Sequence, residues 1–497
     1  MADVAGVLPV FCLAHQPPVV DDPLNSGLTG VGSRSWKVHA LRDTGDGVTS
    51  AGRYRDAFTV PEFRALFGAG LLSLLGDQLA RVAVTVLVFS HTGSTLLAAA
   101  TFGLSYVTWV IAGPLLSVVP DRLPRRTVMV ACDVARAVLL GLLVLPGLPI
   151  PVLIGLLVVA ALFEPPFRAA RSATLPEVLQ GDLLVVANGL VHLSTQLVQV
   201  VGFAAGGVVV AVLSAQGAIL VDAATFAASA VLIGVFVGHR AVSGARPDHG
   251  WLGMVGDGFR LVFGDRVLRG YLVLAWIGAA ATTAPGGLMV SLATHLHGGS
   301  RVTGVLLAAM PLGTVIGAVL YARFTRPVRR WRLIRPMALL SCAALVPLAA
   351  DLSLWAVLVL LVLAGYGASY VVVLNALYVQ QVPTAYRARA FGVAASGIMV
   401  GQGAATFAAG ALAEVLGDPA VVVSLCGLVG AIAMLPVLFR WPEAAQGVTR
   451  GPSSDPKALR NHHSNESPRN HSAVLPAGNP ELSAQRGVGS TAAGAAD

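Results

Sequence analysis

Charge is scarce in this sequence. Asp, Glu, Lys and Arg make up only 12% of its 497 residues, whereas hydrophobic residues make up 55%, and the mean hydropathy is +0.75. Soluble globular domains carry about 25% charged residues. The composition therefore excludes water-soluble enzymes and binding modules as classes.

Cysteine pairs and catalytic motifs are also missing. The four cysteines, Cys12, Cys132, Cys342 and Cys426, show no CxxC spacing, so they predict neither a disulfide framework nor a zinc site. The sequence has no GxxxxGK(S/T) phosphate loop and no HExxH motif. We therefore expect no metal, no cofactor and no enzymatic activity.

Long apolar segments dominate the middle of the chain. Each is long enough to cross a hydrocarbon core about 30 Å thick as a helix rising about 1.5 Å per residue. The segments are continuous, unlike the alternating strands of a membrane barrel. We predict an all-α polytopic membrane protein with twelve transmembrane helices. The predicted spans are 66–90, 96–119, 127–148, 150–167, 183–213, 217–238, 270–294, 302–322, 333–350, 352–382, 390–413 and 419–439.

Basic residues between the spans predict the orientation. Eighteen arginines fall in the connections on one side, whereas the other side holds only Arg301. Basic connections stay in the cytoplasm, so we expect a multi-pass protein of the cell membrane with both termini cytoplasmic. The arginines are spread over many connections and form no patch. The net charge of +8 therefore does not indicate nucleic acid binding.

The longest internal connection, 239–269, divides the spans into two sets of six. We predict two six-helix halves, 57–238 and 270–442, joined by a cytoplasmic linker that either lies on the membrane surface or is solvated. Polar composition predicts disordered cytoplasmic extensions at 1–56 and 443–497. Two halves of six helices are typical of secondary transporters.

The connection after the second span reads SVVPDRLPRR at 117–126. It resembles the cytoplasmic signature of the major facilitator superfamily (MFS), although Ser117 and Pro124 stand where the pattern has Gly. Stretches around the first, fourth and sixth spans look like the branch with macrolide-efflux proteins and the enterobactin exporter. The resemblance covers roughly 56–440 and implies the MFS fold. The residues that it assigns to a cytoplasmic gating loop are Asp121, Arg122, Arg125, Arg126, Asp133 and Arg136.

Glu164 lies near the cytoplasmic end of the fourth span, before two prolines that should kink or end the helix. We expect Arg168 and Arg171 to be its partners. We group Glu164 with the gating residues, and a proton site is the alternative.

Glycines mark the fifth span at Gly202, Gly206 and Gly207. They resemble the G-P-x-x-G-G element associated with export in drug antiporters, with Phe203 in place of the proline. Gly202 and Gly206 are one turn apart, which lets a neighbouring helix approach closely. They serve either helix packing alone or gating.

Ionisable residues are rare inside the spans. Each costs about 2.5 to 3.5 kcal/mol near the bilayer centre, so each needs a partner, a wet cavity or a function. Asp77 lies near the middle of the first span with Arg81 one turn away, a spacing that predicts an ion pair. The pair either orders the bundle or lets Asp77 take up a proton when cargo leaves. Asp222, in the sixth span, serves either coupling or capping.

A polar stripe follows one face of the fifth span, and it either lines a water-filled pathway or bonds neighbouring helices. His192 lies on this stripe, and histidine titrates near pH 6.5, so it serves either proton transfer or core hydrogen bonding. The proton-coupling candidates are Asp77, Arg81, His192 and Asp222. The stripe also contains Thr195, and the substrate-pathway candidates are Asn188, Gln196, Gln199, Thr282, Thr283, Tyr366 and Tyr370.

These features together predict a proton-coupled exporter of a small amphipathic molecule such as a drug, antibiotic or siderophore. It would work by alternating access through rocking of its two halves. An importer of the same fold and a non-transporting receptor or scaffold are the alternatives. We expect a monomer whose partners are the substrate, protons and the lipid bilayer.

Overall fold

The structure is a computed structural model that describes residues 50–116, 123–179, 182–240, 260, 262–325, 331–382 and 387–439. Regular secondary structure in these ranges is helical throughout, without a β-strand. Nine helices within them are long and apolar enough to cross a membrane. The predicted all-α membrane architecture is therefore confirmed. The predicted tail at 443–497, most of the linker, and Asp121 and Arg122 lie outside the described residues.

The first half of the bundle begins with a helix that the sequence did not predict. Residues 50–56 were expected to be disordered, but they are helical, and Ala57 is fully buried. The rest of the predicted extension, 1–49, is outside the described residues. The helices of this half are α1 (Ser50–Thr59), α2 (Pro61–Thr92), α3 (Thr95–Leu116), α4 (Arg125–Leu143), α5 (Ile150–Leu162), α6 (Glu164–Val178) and α7 (Asp182–Phe236).

Predicted spans five and six form the two arms of α7. The arms meet at Ser214, whose φ of 70° breaks the helical path. The Ser214 hydroxyl accepts a hydrogen bond from the Gly217 N–H at 3.4 Å, as N-cap side chains do at the start of a helix. The candidate span Val186–Phe236 therefore covers two predicted spans.

The fourth span is interrupted near its two prolines, as expected. Helix α5 ends at Leu162, and α6 begins at Glu164 with the prolines in its first turn, where a missing N–H costs no hydrogen bond. Helix α6 continues to Val178, well beyond the predicted end at 167.

The second half has the same helical character with more interruptions. The Asp265 carboxylate caps its first helix by accepting from the Val267 N–H at 2.7 Å. Pro285 and the glycines after it lie in a 3-10 segment, which interrupts the seventh span at the predicted place. The elements are α8 (Arg266–Thr283), a 3-10 segment (Ala284–Leu288), α9 (Met289–His295), α10 (Ser300–Phe324), α11 (Ile334–Ala343), a 3-10 segment (Val346–Ala349), α12 (Leu354–Ala368), α13 (Tyr370–Gln381), α14 (Arg387–Leu416) and α15 (Pro419–Phe439).

The bundle has two faces, which we name from the chain. Helix α2 begins and α15 ends at the terminal face. Successive spans run in opposite directions, so the turns at Gly93, Ser214 and Gly417 lie at the opposite face. The largest buried cluster contains Phe102 and Phe203 of the first half together with Leu288 of the second, so the two halves share a core.

The halves contact each other closely near the opposite face, where α3 packs on α14 and α7 packs on α10. The hydroxyls of Thr95 and Ser291 are hydrogen-bonded, with their oxygens 2.8 Å apart. The Leu96 N–H donates to a Glu414 carboxylate oxygen at 3.1 Å. A Cβ atom at Gly207 would lie 2.5 Å from the carbonyl oxygen of Ser300. These contacts close the bundle at the opposite face.

Candidate functional site

A cavity of about 230 Å³ lies in the first half, between α2, α4, α6 and α7. Helix α2 contributes the residues at 63, 66, 67, 70, 73, 74 and 77, a spacing of three or four that keeps one helical face on the cavity. Its lining is Phe63, Leu66, Phe67, Gly70, Ser73, Leu74, Asp77, Arg136, Glu164, Phe167, Arg168, Arg171, Ser172, Leu175, Asn188, Val191 and Thr195.

Asp77 forms an ion pair with Arg136 on the cavity wall, and this pair joins α2 to α4. The guanidinium of Arg136 donates to the Asp77 carboxylate. The Asp77 side chain is 17% exposed and the Arg136 side chain is 6% exposed. The predicted pairing of Asp77 with Arg81 is wrong. The guanidinium of Arg81 lies instead over the rings of Phe102 and Tyr106, 5.4 Å and 5.8 Å from their centroids, where a cation is attracted to the ring faces.

Two further acids, Asp133 and Asp222, are buried near the same arginine. The Ser229 hydroxyl donates to one Asp133 oxygen at 2.5 Å, and the other oxygen has no hydrogen-bond partner. Each of the two acids interacts electrostatically with Arg136. Asp133 and Arg136, which the resemblance groups with the cytoplasmic gating residues, both lie buried inside α4.

Arg136 also lies 3.9 Å from the centroid of the Phe226 ring. Phe226 was not among the predicted site residues, and its only signal in the sequence is its position one turn after Asp222 in the sixth span. The ring covers the guanidinium on the side of α7, so Arg136 is held by a carboxylate and an aromatic face.

Glu164 lies on the cavity wall with one of its two expected partners. Arg168 contacts the Glu164 carboxylate at 2.9 Å, and the side chains are 48% and 10% exposed, respectively. Arg171 does not join this pair. Its guanidinium lies against the backbone of α2 at Gly70, where a Cβ atom would overlap it.

The arginines at the start of α4 hold helices together at the terminal face. Arg125 pairs with Glu177 and donates to the Ala173 carbonyl at 2.8 Å. Arg126 donates to the carbonyl of Gly234. Both arginines, predicted as gating residues, therefore bind α6 and α7 of their own half.

A second ion pair at the terminal face joins the start of α2 to the residues after α7. Arg240 contacts Glu62 at 2.6 Å, and the Gly238 N–H donates to the other Glu62 oxygen at 2.6 Å. Sequence reasoning missed Glu62 and Glu177, because nothing in the sequence links Glu62 to an arginine so far along the chain.

The polar stripe of the fifth span reaches the cavity at Asn188 and Thr195. Asn188 is exposed, whereas Gln196 and Gln199 are half-buried. The side chain of His192 lies outside the described residues. Two turns further along, Gly202, Gly206 and Gly207 mark close helix contacts. Cβ atoms at the first two would lie 2.7 Å and 3.0 Å from side-chain atoms of Gln78 and Val82 in α2, and Gly207 contacts α10.

Three of the four candidates of the second half have hydrogen bonds within the bundle. The Thr282 hydroxyl donates to the Gly278 carbonyl at 2.7 Å, and Thr283 accepts from the amide of Gln402 at 2.8 Å. Tyr366 is half-buried. Tyr370 is only 1% exposed, and its hydroxyl donates to the Leu274 carbonyl at 3.2 Å. This burial removes Tyr370 from the candidate pathway.

Within the part of the chain that the structure describes, no group of three or more His, Cys, Asp or Glu side chains is placed to hold a metal ion. The ionisable groups of the cavity are instead arranged as two carboxylates and three arginines in contact with an apolar wall. Ionisable side chains inside a membrane bundle are typical of sites that bind a ligand or exchange a proton.

Known proteins with this architecture transport small molecules. Solved structures similar to this chain include two POT family transporters, one in complex with 5-aminolevulinic acid (TM-score 0.62, 11% identity, 77% of this chain and 96% of that chain covered). The other is in complex with a thioalcohol conjugated peptide (TM-score 0.61, 12% identity, 76% and 95% covered). The nucleoside transporter NupG is also similar (TM-score 0.57, 15% identity, 76% and 98% covered). At these identities the similarity shows the fold.

Sequence comparison identifies the family. No curated protein sequence matches the chain significantly. The family model of the Major Facilitator Superfamily, however, matches residues 66–289 and again 271–478. The two matches cover both halves of the bundle and more than half of the sequence. The chain is therefore a multi-pass transporter, not an enzyme, and it belongs to the Major Facilitator Superfamily.

Proposed function

We propose that this transporter is a proton-coupled exporter of a small amphipathic molecule, of the branch that contains macrolide-efflux proteins and the enterobactin exporter. It acts as a monomer in the cell membrane with both termini in the cytoplasm. The observation that carries the proposal is the Asp77–Arg136 ion pair on the cavity wall. A carboxylate that is paired and still partly exposed can exchange a proton with the cavity.

Proton uptake at Asp77 changes which groups hold Arg136. A neutral Asp77 no longer neutralises the guanidinium, and a buried charge without its partner is costly. Asp133 and Asp222 then become the acids that balance Arg136, since both already interact with it. Because Asp77 lies in α2 and Asp222 in α7, this exchange alters how α2, α4 and α7 are held together. Protonation therefore favours a different arrangement of the first half.

The closed opposite face supports export as the proposed direction of transport. The halves contact each other at the opposite face, and the charged cavity reaches toward the terminal face along α2 and α6. With the terminal face in the cytoplasm, as the arginine distribution predicts, cargo enters the cavity from inside the cell. The similar solved structures are a nucleoside transporter and POT family transporters in complex with a thioalcohol conjugated peptide or 5-aminolevulinic acid. The same fold thus accommodates different cargoes, and we attribute the choice of cargo to the residues that line the cavity.

The test replaces Asp77 with asparagine, which keeps the shape of the side chain and removes its charge. Cargo is first found by screening varied compounds for reduced accumulation in cells that lack their own pumps. Its transport is then measured in proteoliposomes with and without a pH gradient. We expect wild-type transport to follow the gradient and Asp77→Asn to lose that dependence. Asp351→Asn, at an exposed position, is the matched control. Undiminished pH-driven transport by Asp77→Asn would contradict the proposal.

A further inference from the structure

We infer that the cavity binds the anionic end of its cargo and that Arg171 receives this group. The cargo is thus an amphipathic molecule with a carboxylate, phosphate or similar anion on an apolar body. The inference rests on the proposed function in taking the cavity as the cargo site, and it goes further in naming the charge of the cargo.

The charges of the cavity lining do not cancel. The lining holds three arginines and two carboxylates. Arg136 is paired with Asp77, and Arg168 is paired with Glu164. Among the described residues Arg171 has no acidic partner, so the lining presents one guanidinium without a paired carboxylate. A positive charge in a membrane cavity favours an anion and disfavours a cationic cargo.

Gly70 leaves the space in which the Arg171 guanidinium lies. A Cβ atom at this residue would overlap the central carbon and both terminal nitrogens of the guanidinium. Only a residue without a side chain allows the guanidinium to lie flat against the backbone of α2. In this position the group is half-buried and on the cavity wall. Its planar set of donors suits two parallel hydrogen bonds to a carboxylate or phosphate.

The remaining wall suits an apolar or aromatic body. Phe67 is a half-buried ring one turn before Gly70 on α2, and it packs on the fully buried Phe63 with ring centroids 5.6 Å apart. Phe167 borders the same cavity from α6. Ser172 and Asn188 add neutral polar groups. An anionic head at Arg171 with an aromatic body against these rings satisfies both parts of the lining.

The anion site and the proton site are separate. Gly70 and Asp77 are both on α2, seven residues and therefore about 10 Å apart along the helix. Cargo at Arg171 does not have to displace the proton from Asp77 directly. The two sites are coupled through α2, whose packing both of them affect.

Three dansyl compounds test the charge preference, because they share one aromatic body and differ in charge. Dansylglycine is anionic, dansylamide is neutral and dansylcadaverine is cationic. Their binding to the full-length protein in phosphatidylcholine nanodiscs is followed by dansyl fluorescence without any ion gradient. We expect the wild type to bind dansylglycine most tightly. Arg171→Gln should weaken dansylglycine binding by about tenfold or more and leave dansylamide binding unchanged.

Glycine variants test the geometry with a matched control. Gly70→Ala should weaken dansylglycine binding as Arg171→Gln does, because the methyl group displaces the guanidinium. Gly68→Ala, two residues away in the same helix, has open space at its Cβ position and should bind like the wild type. Arg171→Lys keeps the charge and should retain part of the preference. Retained dansylamide binding and monodisperse elution show that each variant is folded.

Several outcomes would overturn the inference. Absent or equal binding of the three probes to the wild type would remove the charge preference, and an equal loss of all three in Arg171→Gln would make the arginine structural. A second set of nanodiscs contains phosphatidylglycerol. If this lipid displaces dansylglycine, the anion site belongs to lipid headgroups and not to cargo. Because no gradient is applied, these results are independent of whether Asp77 couples transport to protons.

Discussion

At the scale of single residues, Gly76 decides how closely α7 approaches α2. A Cβ atom there would overlap the Asp222 carboxylate and the Thr225 hydroxyl. Asp222 is buried, and the Thr225 hydroxyl donates to its backbone carbonyl at 2.8 Å. The missing side chain therefore places a carboxylate of the sixth span directly against the helix that carries Asp77.

Replacing Gly76 with alanine should destabilise the protein. The added methyl group forces α7 away from α2, and overpacking of this kind costs about 1 to 3 kcal/mol. Gly68→Ala is the control, since its Cβ position is open and alanine is favoured over glycine in a helix by about 1 kcal/mol. Thermal unfolding in detergent measures both variants. Equal unfolding temperatures for Gly76→Ala and Gly68→Ala would refute this account of the contact.

The residue scale also shows where sequence reasoning failed. Asp77, Asp222 and Glu164 were identified because a charge in an apolar run is visible in the sequence. The partner of Asp77 was not identified, because helical spacing in a sequence reports only neighbours on the same helix. Arg81 instead faces aromatic rings of α3, and Arg136 reaches Asp77 from α4. Both contacts depend on how three helices pack, which no local pattern encodes.

At the scale of elements, the ion pair between Glu62 and Arg240 joins the first span to the end of the sixth. The two side chains are partly buried, and the Gly238 N–H also binds the Glu62 carboxylate. Arg240 further approaches Glu177 of α6 at 3.7 Å. The terminal ends of α2, α6 and α7 are thus held by one group of charges.

A double-mutant cycle measures this connection. Glu62→Gln, Arg240→Gln and the double variant are unfolded in detergent, and the coupling free energy is expected to be about 1 kcal/mol in favour of the wild-type pair. Arg64→Gln, an exposed position of the same helix, should show no coupling to Arg240→Gln. Additive effects of the Glu62 and Arg240 substitutions would mean that the pair contributes nothing to stability.

The elements themselves were largely predictable, because apolar length alone defines a membrane helix. The interruption at Ala284–Leu288 was visible in its proline and glycines. Two features of the elements were not predictable from the sequence. Helix α1 is polar and resembles a loose extension in composition, and the turn between spans five and six is made by Ser214, a residue type that rarely adopts positive φ.

At the scale of the whole molecule, the two halves meet at the opposite face. The hydrogen bond between Thr95 and Ser291 joins α3 to α9, and Glu414 of α14 accepts from the start of α3. Alternating access requires these contacts to separate when cargo leaves on that side.

A reversible crosslink tests this requirement. In a background without native cysteines, Thr95→Cys and Ser291→Cys place two thiols where hydroxyl oxygens lie 2.8 Å apart. Oxidation should abolish transport in proteoliposomes, and a reducing agent should restore it. Each single cysteine variant should be insensitive to oxidation. Full transport by the oxidised double variant would show that this face does not need to open.

Buried charge is confined to one half of the described bundle. Among the described residues, the buried Asp, Glu, Lys and Arg side chains are Asp133, Arg136, Glu164 and Asp222, all in the first half. The buried polar groups of the second half, such as Ser291 and Thr406, are neutral. The lining of the cavity belongs to the first half, so substitutions that change which cargo fits also lie close to the buried charges. Relatives with new specificities would therefore have to diverge beside the groups that we propose to couple transport to protons.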